Sequence, residues 1–308
     1  MTGAHLRGFG CHLPERVVTN AEVAAQVGCD PAWIVQMSGI QERRWAAPAD
    51  TVESLGIRAA QDCLARAGVA PREVGLLLVA SGSSERRFPG PAAAIGAGLE
   101  LPGVPAIDLP LASAGSLFGL ALAAELTGRY GNILVVASEI MSRAISLEPA
   151  CRDTAILFGD GAGACLVSAE AGFARITDAL LASDGAFADT LRLDLAGPIH
   201  MNGQSVIMQA TRKVPRIILE LLERNRKQPA EVAVYLMHQA NRNLIARTAK
   251  SLGVAEEKFF INVDRYGNTS SASLLIAAAE WWQTGAPATP TVFAAFGAGL
   301  HWGAVLAE

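Results

Sequence analysis

The chain has 308 residues, of which 51% are hydrophobic and 18% are charged, so it can hold two domain-sized cores or one large duplicated core. This composition is typical of a well-buried α/β protein and excludes a largely disordered chain. A net charge of −4 gives no electrostatic basis for binding nucleic acid or an anionic membrane, and no apolar run reaches the roughly 18 residues of a membrane span.

The cysteines and the first residues indicate the compartment. Five cysteines are scattered along the chain without a C-x-x-C pair, which predicts reduced thiols rather than disulfides or zinc ligands. The histidines show no metal-ligand spacing, so we expect no metal site. The first ten residues lack the basic and then apolar segments of a signal peptide, and we therefore expect a cytoplasmic protein.

Short β-rich runs alternate with alanine-rich helical runs along the chain, which predicts an α/β fold. The predicted strands are 6–13, 74–81, 104–109, 133–138, a segment ending near residue 168, 232–237 and 260–263. The predicted helices are 20–27 with Asn20 as its cap, 31–38, 51–67, 91–99 and an apolar helix from about 114.

The second half of the sequence repeats the first. Residues 71–79 match residues 229–237, since both have Pro, then Glu, then an apolar strand. Ile107-Asp108 similarly matches Val263-Asp264. We therefore predict two duplicated halves, 1–170 and 171–308. In such folds ligands bind at the carboxyl ends of strands near the junction of the halves.

Three polar residues stand at equivalent strand ends of this repeat. Ser113 lies at the bend before the apolar helix, where free N–H groups and the helix dipole favour a developing oxyanion. His238 follows strand 232–237, and Asn268 follows the predicted strand 260–263. Each residue alone also fits an ordinary role as an N-cap, helix-start or turn residue. Their convergence predicts one shared site.

Ordered motifs along the chain resemble those of the β-ketoacyl-acyl-carrier-protein synthase III family. They are Leu13-Pro-Glu-Arg-Val-Val-Thr-Asn20, Trp33-Ile-Val, Gly39-Ile-Gln-Glu-Arg-Arg, Phe158-Gly-Asp-Gly-Ala-Gly-Ala, His238-Gln-Ala-Asn, Gly267-Asn-Thr-Ser and Phe296-Gly-Ala-Gly. The resemblance implies a thiolase-like, five-layered αβαβα fold and a homodimer. It also implies acyl-CoA and malonyl-acyl carrier protein as substrates, with no permanently bound cofactor.

The resemblance also implies roles for the three polar residues. Ser113 stands where the family has its nucleophilic cysteine, while His238 and Asn268 match the pair that stabilises the enolate left by decarboxylation of the malonyl unit. A hydroxyl is harder to activate than a thiol, so acylation and condensation should be slow unless His238 acts as a base. Ser113 is either natural, as in polyketide-starter enzymes that resemble this family, or an engineered replacement of cysteine.

Four further positions take roles from the resemblance. Trp33 and Arg152 match the residues on the two faces of the CoA adenine. Ala298 replaces a glycine whose backbone N–H helps to form the oxyanion hole, and it still supplies that N–H if its backbone angles are allowed. Phe88 resembles the residue that closes the acyl pocket of the neighbouring subunit, although a local core position before Pro89 fits the sequence equally well.

Several family positions for basic residues are not basic here, which weakens the steering of an anionic partner. These are Met37, Met208 and Asn243; nearby Arg242, Arg247 and Lys250 either substitute for them or form a solvated helix face. Two other functions therefore stay open beside condensation. The chain could be a starter-unit acyltransferase that does not condense, or a non-acylating partner subunit.

Overall fold

The computed structural model describes residues 3–285 and 288–308. Its strands are β1 (His5–His12), β2 (Arg16–Thr19), β3 (Glu42–Trp45), β4 (Val74–Ala80), β5 (Ala106–Leu109), β6 (Asn132–Ile140), β7 (Asp160–Ser168), β8 (Ala174–Ser183), β9 (Leu191–Arg192), β10 (His200–Met201), β11 (Val234–Met237), β12 (Thr291–Gly297) and β13 (His301–Ala307). Its helices are α1 (Asn20–Val27), α2 (Pro31–Ser38), α3 (Val52–Ala67), α4 (Pro91–Gly98), α5 (Gly115–Tyr130), α6 (Arg152–Ala155), α7 (Gly203–Arg224), α8 (Arg242–Leu252), α9 (Val263–Tyr266) and α10 (Ser273–Gln283).

Nine of the described strands form one continuous sheet in the order β11-β12-β13-β8-β1-β7-β6-β4-β5. The strand pairs β4–β5, β4–β6 and β11–β12 are parallel, and the others are antiparallel. Only His5 and Leu6 of β1 pair with β8. The sheet therefore consists of two groups of strands, β11-β12-β13-β8 and β1-β7-β6-β4-β5, which are joined by this short pairing. The two groups share one core, and each has a further core of its own.

The helices form three layers around these two groups of strands. Helix α3 packs against β1, β6 and β7 on one side, and α7 packs against β12 and β13 on the other. Helices α5 and α10 contact strands of both groups and lie between them. The mainly apolar sequence of α5 suits this central position, because a helix without a polar face has to be covered on all sides. The arrangement has the five layers that the sequence resemblance implied.

The cap of α1 differs from the sequence prediction. Thr19, and not Asn20, is the N-cap, and it forms a capping box with Glu22. Asn20 is the first helical residue and turns into the core, where its side chain donates to the Ile40 carbonyl and accepts from Arg43. The Asn20 side chain therefore forms hydrogen bonds with the buried Ile40 carbonyl and the buried Arg43 guanidinium instead of capping the helix.

The predicted strand 260–263 is wrong, because Val263 begins the short helix α9. The side-chain amide of Gln239 occupies the backbone groups that a ladder would use. It donates to the Phe260 carbonyl and accepts from the N–H groups of Asn262 and Val263. The match of Ile107-Asp108 with Val263-Asp264 therefore fails as a structural equivalence. The division at 170/171 stays a prediction.

Strand β5 is shorter than the predicted 104–109 and forms one edge of the sheet. Ile107 on this edge is exposed, as is Leu122 on α5. Among the described residues, no helix combines the length and apolarity needed to cross a membrane. The location of the protein in the cell stays a prediction.

Candidate active site

Ser113 lies in a strained bend between β5 and α5. Its φ is +63°, a left-handed conformation that non-glycine residues seldom adopt, and its backbone N–H donates to the Ser270 hydroxyl at 3.1 Å. A Cβ atom at Gly297 would lie 2.1 Å from the Ala112 carbonyl oxygen and 3.0 Å from Ser113 Cβ, so β12 needs glycine to approach this bend. The neighbouring segments therefore hold Ser113 in place.

Ser113 is not the N-cap of α5. The helix begins at Gly115, Ala114 is the N-cap, and no side chain caps this helix end. The Ser113 hydroxyl has no hydrogen-bond partner among the described residues, although the side chain is only 6% exposed. The structure therefore removes the ordinary capping interpretation and leaves a nearly buried hydroxyl facing a cavity.

His238 extends β11 by one backbone hydrogen bond, from its N–H to the Ala294 carbonyl of β12. The side chain is 3% exposed, and its Nδ1 forms a hydrogen bond with the Ser273 hydroxyl at the start of α10. Burial lowers the pKa of His238 from 6.5 to about 4, because a charged imidazolium would lose its hydration. The imidazole is therefore neutral near pH 7.

Asn268 is fixed by a backbone exchange with the segment before β7. Its N–H donates to the Leu157 carbonyl at 2.8 Å, and its carbonyl accepts from Gly159 N–H at 3.1 Å. Gly267 precedes it with a φ of +66°, and a Cβ there would lie 2.9 Å from the Leu157 carbonyl. The Asn268 side-chain oxygen accepts from Ser270 N–H at 2.9 Å, which leaves the amide NH₂ directed away from that contact.

These three segments meet at one cavity of about 970 Å³, its open mouth included. Ser113, His238, Asn268 and Ala298 all contribute to its lining, as the sequence predicted for a shared site. The remaining wall is largely apolar and includes Met141, Leu157, Leu191, Ile199, Val206 and Leu244. A hydroxyl, an imidazole and a carboxamide facing one apolar cavity can bind a carbonyl group and stabilise negative charge on its oxygen.

Trp33 and Arg152 are brought together, but neither lines this cavity. The Arg152 guanidinium carbon lies 5.3 Å from the centre of the Trp33 ring, in cation–π contact. A third planar group between them needs a separation of about 7 Å, since stacked atoms lie about 3.5 Å apart. An adenine could enter only if the Arg152 side chain moves.

Phe88 is 86% exposed and belongs to none of the core clusters among the described residues. The local core interpretation of this residue is therefore wrong. Met37 and Met208 are also largely exposed, at 49% and 59%. The Asn243 side chain, unlike those of Met37 and Met208, is held within the chain. Its NH₂ group donates to the Gln36 and Met37 carbonyls at the end of α2.

Sequence reasoning missed the buried carboxylate beneath the cavity. Glu139, at the end of β6, is fully buried and accepts from the hydroxyls of Ser81, Ser83 and Ser271. It also accepts from three backbone N–H groups, including that of the cavity residue Gly82. A single charged residue inside the apolar run of β6 was the signal that could have indicated it.

The other weak signals give no second site. Asp160 is buried and accepts from Ala46 N–H, Ser142 N–H and the Ser142 hydroxyl, so it joins loops rather than reaching the cavity. Burial raises its pKa. Cys151 does not line the cavity. Across residues 3–285 and 288–308, no group of three or more His, Cys, Asp or Glu side chains is placed to hold a metal ion.

Two family profiles and a curated relative match this chain. The family profile "3-Oxoacyl-[acyl-carrier-protein (ACP)] synthase III C terminal" matches residues 222–308, and the profile "3-Oxoacyl-[acyl-carrier-protein (ACP)] synthase III" matches residues 107–185. The β-ketoacyl-[acyl-carrier-protein] synthase III of Oleidesulfovibrio alaskensis is 36% identical, covering 99% of this chain and 98% of the relative.

Two solved structures extend the comparison to the fold. The crystal structure of 3-oxoacyl-[acyl-carrier-protein] synthase III from Aquifex aeolicus has a TM-score of 0.95 and 34% identity, covering 99% of this chain and 100% of that one. The priming β-ketosynthase from the R1128 polyketide biosynthetic pathway has a TM-score of 0.91 and 30% identity, with 99% and 96% coverage. These similarities confirm the thiolase-like fold.

Proposed function

Because this chain belongs to the β-ketoacyl-acyl-carrier-protein synthase III family, whose members are condensing enzymes, we propose that it condenses an acyl-CoA starter with malonyl-acyl carrier protein. The products are 3-oxoacyl-acyl carrier protein, CO₂ and coenzyme A. The observation that carries this proposal is that Ser113, His238 and Asn268 come from three distant segments and line one cavity.

The first half-reaction transfers the acyl group to Ser113. The Ser113 oxygen attacks the thioester carbonyl, a C–O bond forms, the C–S bond breaks, and the coenzyme A thiol leaves with the hydroxyl proton. The N–H of Ala298, which lines the cavity, is one donor for the oxyanion. The Ser113 N–H already donates to the Ser270 hydroxyl, so it is available only if that hydrogen bond is exchanged.

The second half-reaction uses the malonyl thioester. Loss of CO₂ leaves an enolate, whose oxygen accepts hydrogen bonds from the His238 ring and the Asn268 amide. The enolate carbon then attacks the acyl ester on Ser113, a C–C bond forms, the ester C–O bond breaks, and the serine oxygen leaves and takes a proton from water. An apolar cavity favours this sequence because it strengthens hydrogen bonds to the developing charge.

Substrate docking is part of the same proposal. Trp33 and Arg152 bind the adenine of acyl-CoA after the Arg152 side chain moves aside. Arg247 and Lys250 lie exposed on α8, one and two turns beyond the cavity residue Leu244, and supply positive charge for the acidic carrier protein. Coenzyme A acts here as substrate, and no resident cofactor takes part.

We further propose a homodimer joined across β5. An edge strand with an exposed isoleucine offers unpaired backbone groups and apolar surface to a second copy. Phe88 is far too exposed to serve its own chain's core, and it would close the acyl pocket of the partner. Light scattering measures the mass, and a monomer at micromolar concentration would contradict this assembly.

The decisive experiment combines mass spectrometry with CO₂ release. The wild-type chain, Ser113→Ala and Ser113→Cys are incubated with acyl-CoA, and then with malonyl-acyl carrier protein. We expect an acyl mass on wild type, none on Ser113→Ala, and acylation at least tenfold faster on Ser113→Cys, because a thiol ionises more readily. Absence of an acyl mass on wild type would refute Ser113 as acyl acceptor.

The same experiment tests the second candidate, a starter-unit acyltransferase. The serine at position 113 and the similarity to a priming β-ketosynthase favour this candidate over a non-acylating subunit. It predicts an acylated carrier protein without CO₂. Release of one CO₂ for each product would exclude it.

A further inference from the structure

The Ser273 hydroxyl lies between His238 and the backbone that follows it. Ser273 is the first residue of α10 and is 2% exposed. Its oxygen is 2.5 Å from His238 Nδ1, and it accepts the backbone N–H of Gln239 at 3.1 Å. These two contacts determine where the hydroxyl proton can go.

The proton of this hydroxyl has one acceptor within the described part of the chain, which is His238 Nδ1. If Nδ1 carried the ring proton, that proton would point at the serine oxygen and the hydroxyl proton would be buried without an acceptor. A buried unsatisfied donor shifts such an equilibrium by roughly 5- to 150-fold. The contacts therefore favour the tautomer with the proton on Nε2.

We propose that Ser273 is a positioning residue that keeps the His238 proton on Nε2, so that His238 acts as a hydrogen-bond donor and not as a general base for Ser113. The inference rests on the proposed function and deepens it. It decides between the two roles that the sequence left open for this histidine.

Two other features of the site agree with a donor role. In the described residues no carboxylate contacts His238, so nothing stabilises the imidazolium that a general base would become. Asn268 is also oriented as a donor, because its side-chain oxygen accepts from Ser270 N–H, and its NH₂ group has no acceptor among the described residues. His238 and Asn268 both line the cavity, so each can offer it an N–H donor.

The proposal separates the two half-reactions. Decarboxylation depends on the donor at Nε2, so it should depend on Ser273. His238 does not remove the Ser113 hydroxyl proton during acylation, so the acylation rate should not depend on Ser273. A residue that only supported the local fold would change both reactions together.

The experiment compares wild type with Ser273→Ala and with Ser138→Ala, a matched control. Ser138 is also fully buried, and its hydroxyl donates to the Val52 carbonyl away from the cavity. Nitrogen-15 NMR of histidine-labelled protein reports the tautomer, and His238→Gln assigns the His238 signals. CO₂ release from malonyl-acyl carrier protein reports decarboxylation, and mass spectrometry reports acylation.

We expect wild type and Ser138→Ala to show the Nε2–H tautomer. Ser273→Ala should show a tautomer mixture. Decarboxylation should slow in proportion to the Nε2–H fraction that is lost, by about twofold for an equal mixture and about tenfold where one-tenth remains, while acylation stays unchanged. An Nδ1–H tautomer in wild type would overturn the proposal, and this measurement needs no variant. An unchanged tautomer in Ser273→Ala would also overturn it. A wild type that releases no CO₂ would refute the proposed function instead, while the tautomer still tests Ser273.

Discussion

Replacement of Glu139 by Gln should destabilise the floor of the cavity. The carboxylate is fully buried on β6, and every group that contacts it is a hydrogen-bond donor. Glutamine keeps one acceptor oxygen and replaces the other with an NH₂ group. That NH₂ would face backbone N–H groups, which cannot accept, and it could pair only with a serine hydroxyl that turns to accept from it.

The magnitude follows from counting groups that cannot adjust. The three serine hydroxyls can rotate, but a backbone N–H cannot. Gly82 N–H reaches both carboxylate oxygens, whereas Ser271 N–H reaches only Oε1. Placing the NH₂ at Oε1 leaves Ser271 N–H unpaired, and one amide proton stays unpaired even if the Ser271 hydroxyl turns to accept the other, at about 1–3 kcal/mol for each buried group. We expect a loss of about 4 kcal/mol, or about 6 °C in Tm for a chain of this size.

The assay is thermal unfolding followed by calorimetry, with Glu220→Gln on the exposed face of α7 as the matched control. The control should change stability by less than about 0.5 kcal/mol. Since Ser271 adjoins Ser270, whose N–H holds the Asn268 side-chain oxygen, CO₂ release by the folded Glu139→Gln variant should also fall about tenfold. A Tm within 1 °C of wild type would show that these hydrogen bonds do not stabilise the fold as argued.

Three other predictions concern the site itself. Gly297→Ala places a Cβ 2.1 Å from a backbone oxygen of the Ser113 bend and should reduce the rate of acylation more than tenfold. The control Gly185→Ala places a Cβ with no atom within 4 Å and should leave the rate unchanged. Equal acylation rates in the two variants would show that Gly297 is not needed for the approach of β12. The His238 pKa of about 4 lies below the unfolded value of 6.5, so the unfolded chain binds the proton first as the pH falls. The free energy of unfolding of wild type should therefore fall by about 3 kcal/mol relative to that of His238→Gln between pH 6.5 and pH 4. Parallel denaturation curves of the two proteins across that range would refute the buried neutral imidazole. Trp33→Ala should raise KM for acyl-CoA about tenfold and leave KM for acyl-pantetheine unchanged, because only the first substrate has an adenine; a similar rise for both would place the adenine elsewhere.

The sequence determined much of the framework by itself. Helix 31–38 has the predicted limits because Asp30 caps it, Pro31 starts it and Gly39 ends it in a left-handed conformation. Apolar runs gave β4 and β6 to within two residues. The gathering of Ser113, His238 and Asn268 was predictable from the family motifs, whereas the repeat placed Asn268 after a strand that does not form.

The tertiary structure decided which backbone and side-chain groups pair across long distances. Gln239 converts the predicted strand 260–263 into a bend and the helix α9, Asn20 leaves its helix end for Arg43, and Ser273 meets His238 from 35 residues away. Propensity and periodicity describe neighbours along the chain, and none of these partners is a neighbour. A buried polar group takes whichever partner the packed core brings within hydrogen-bond distance, and only the folded chain specifies that partner.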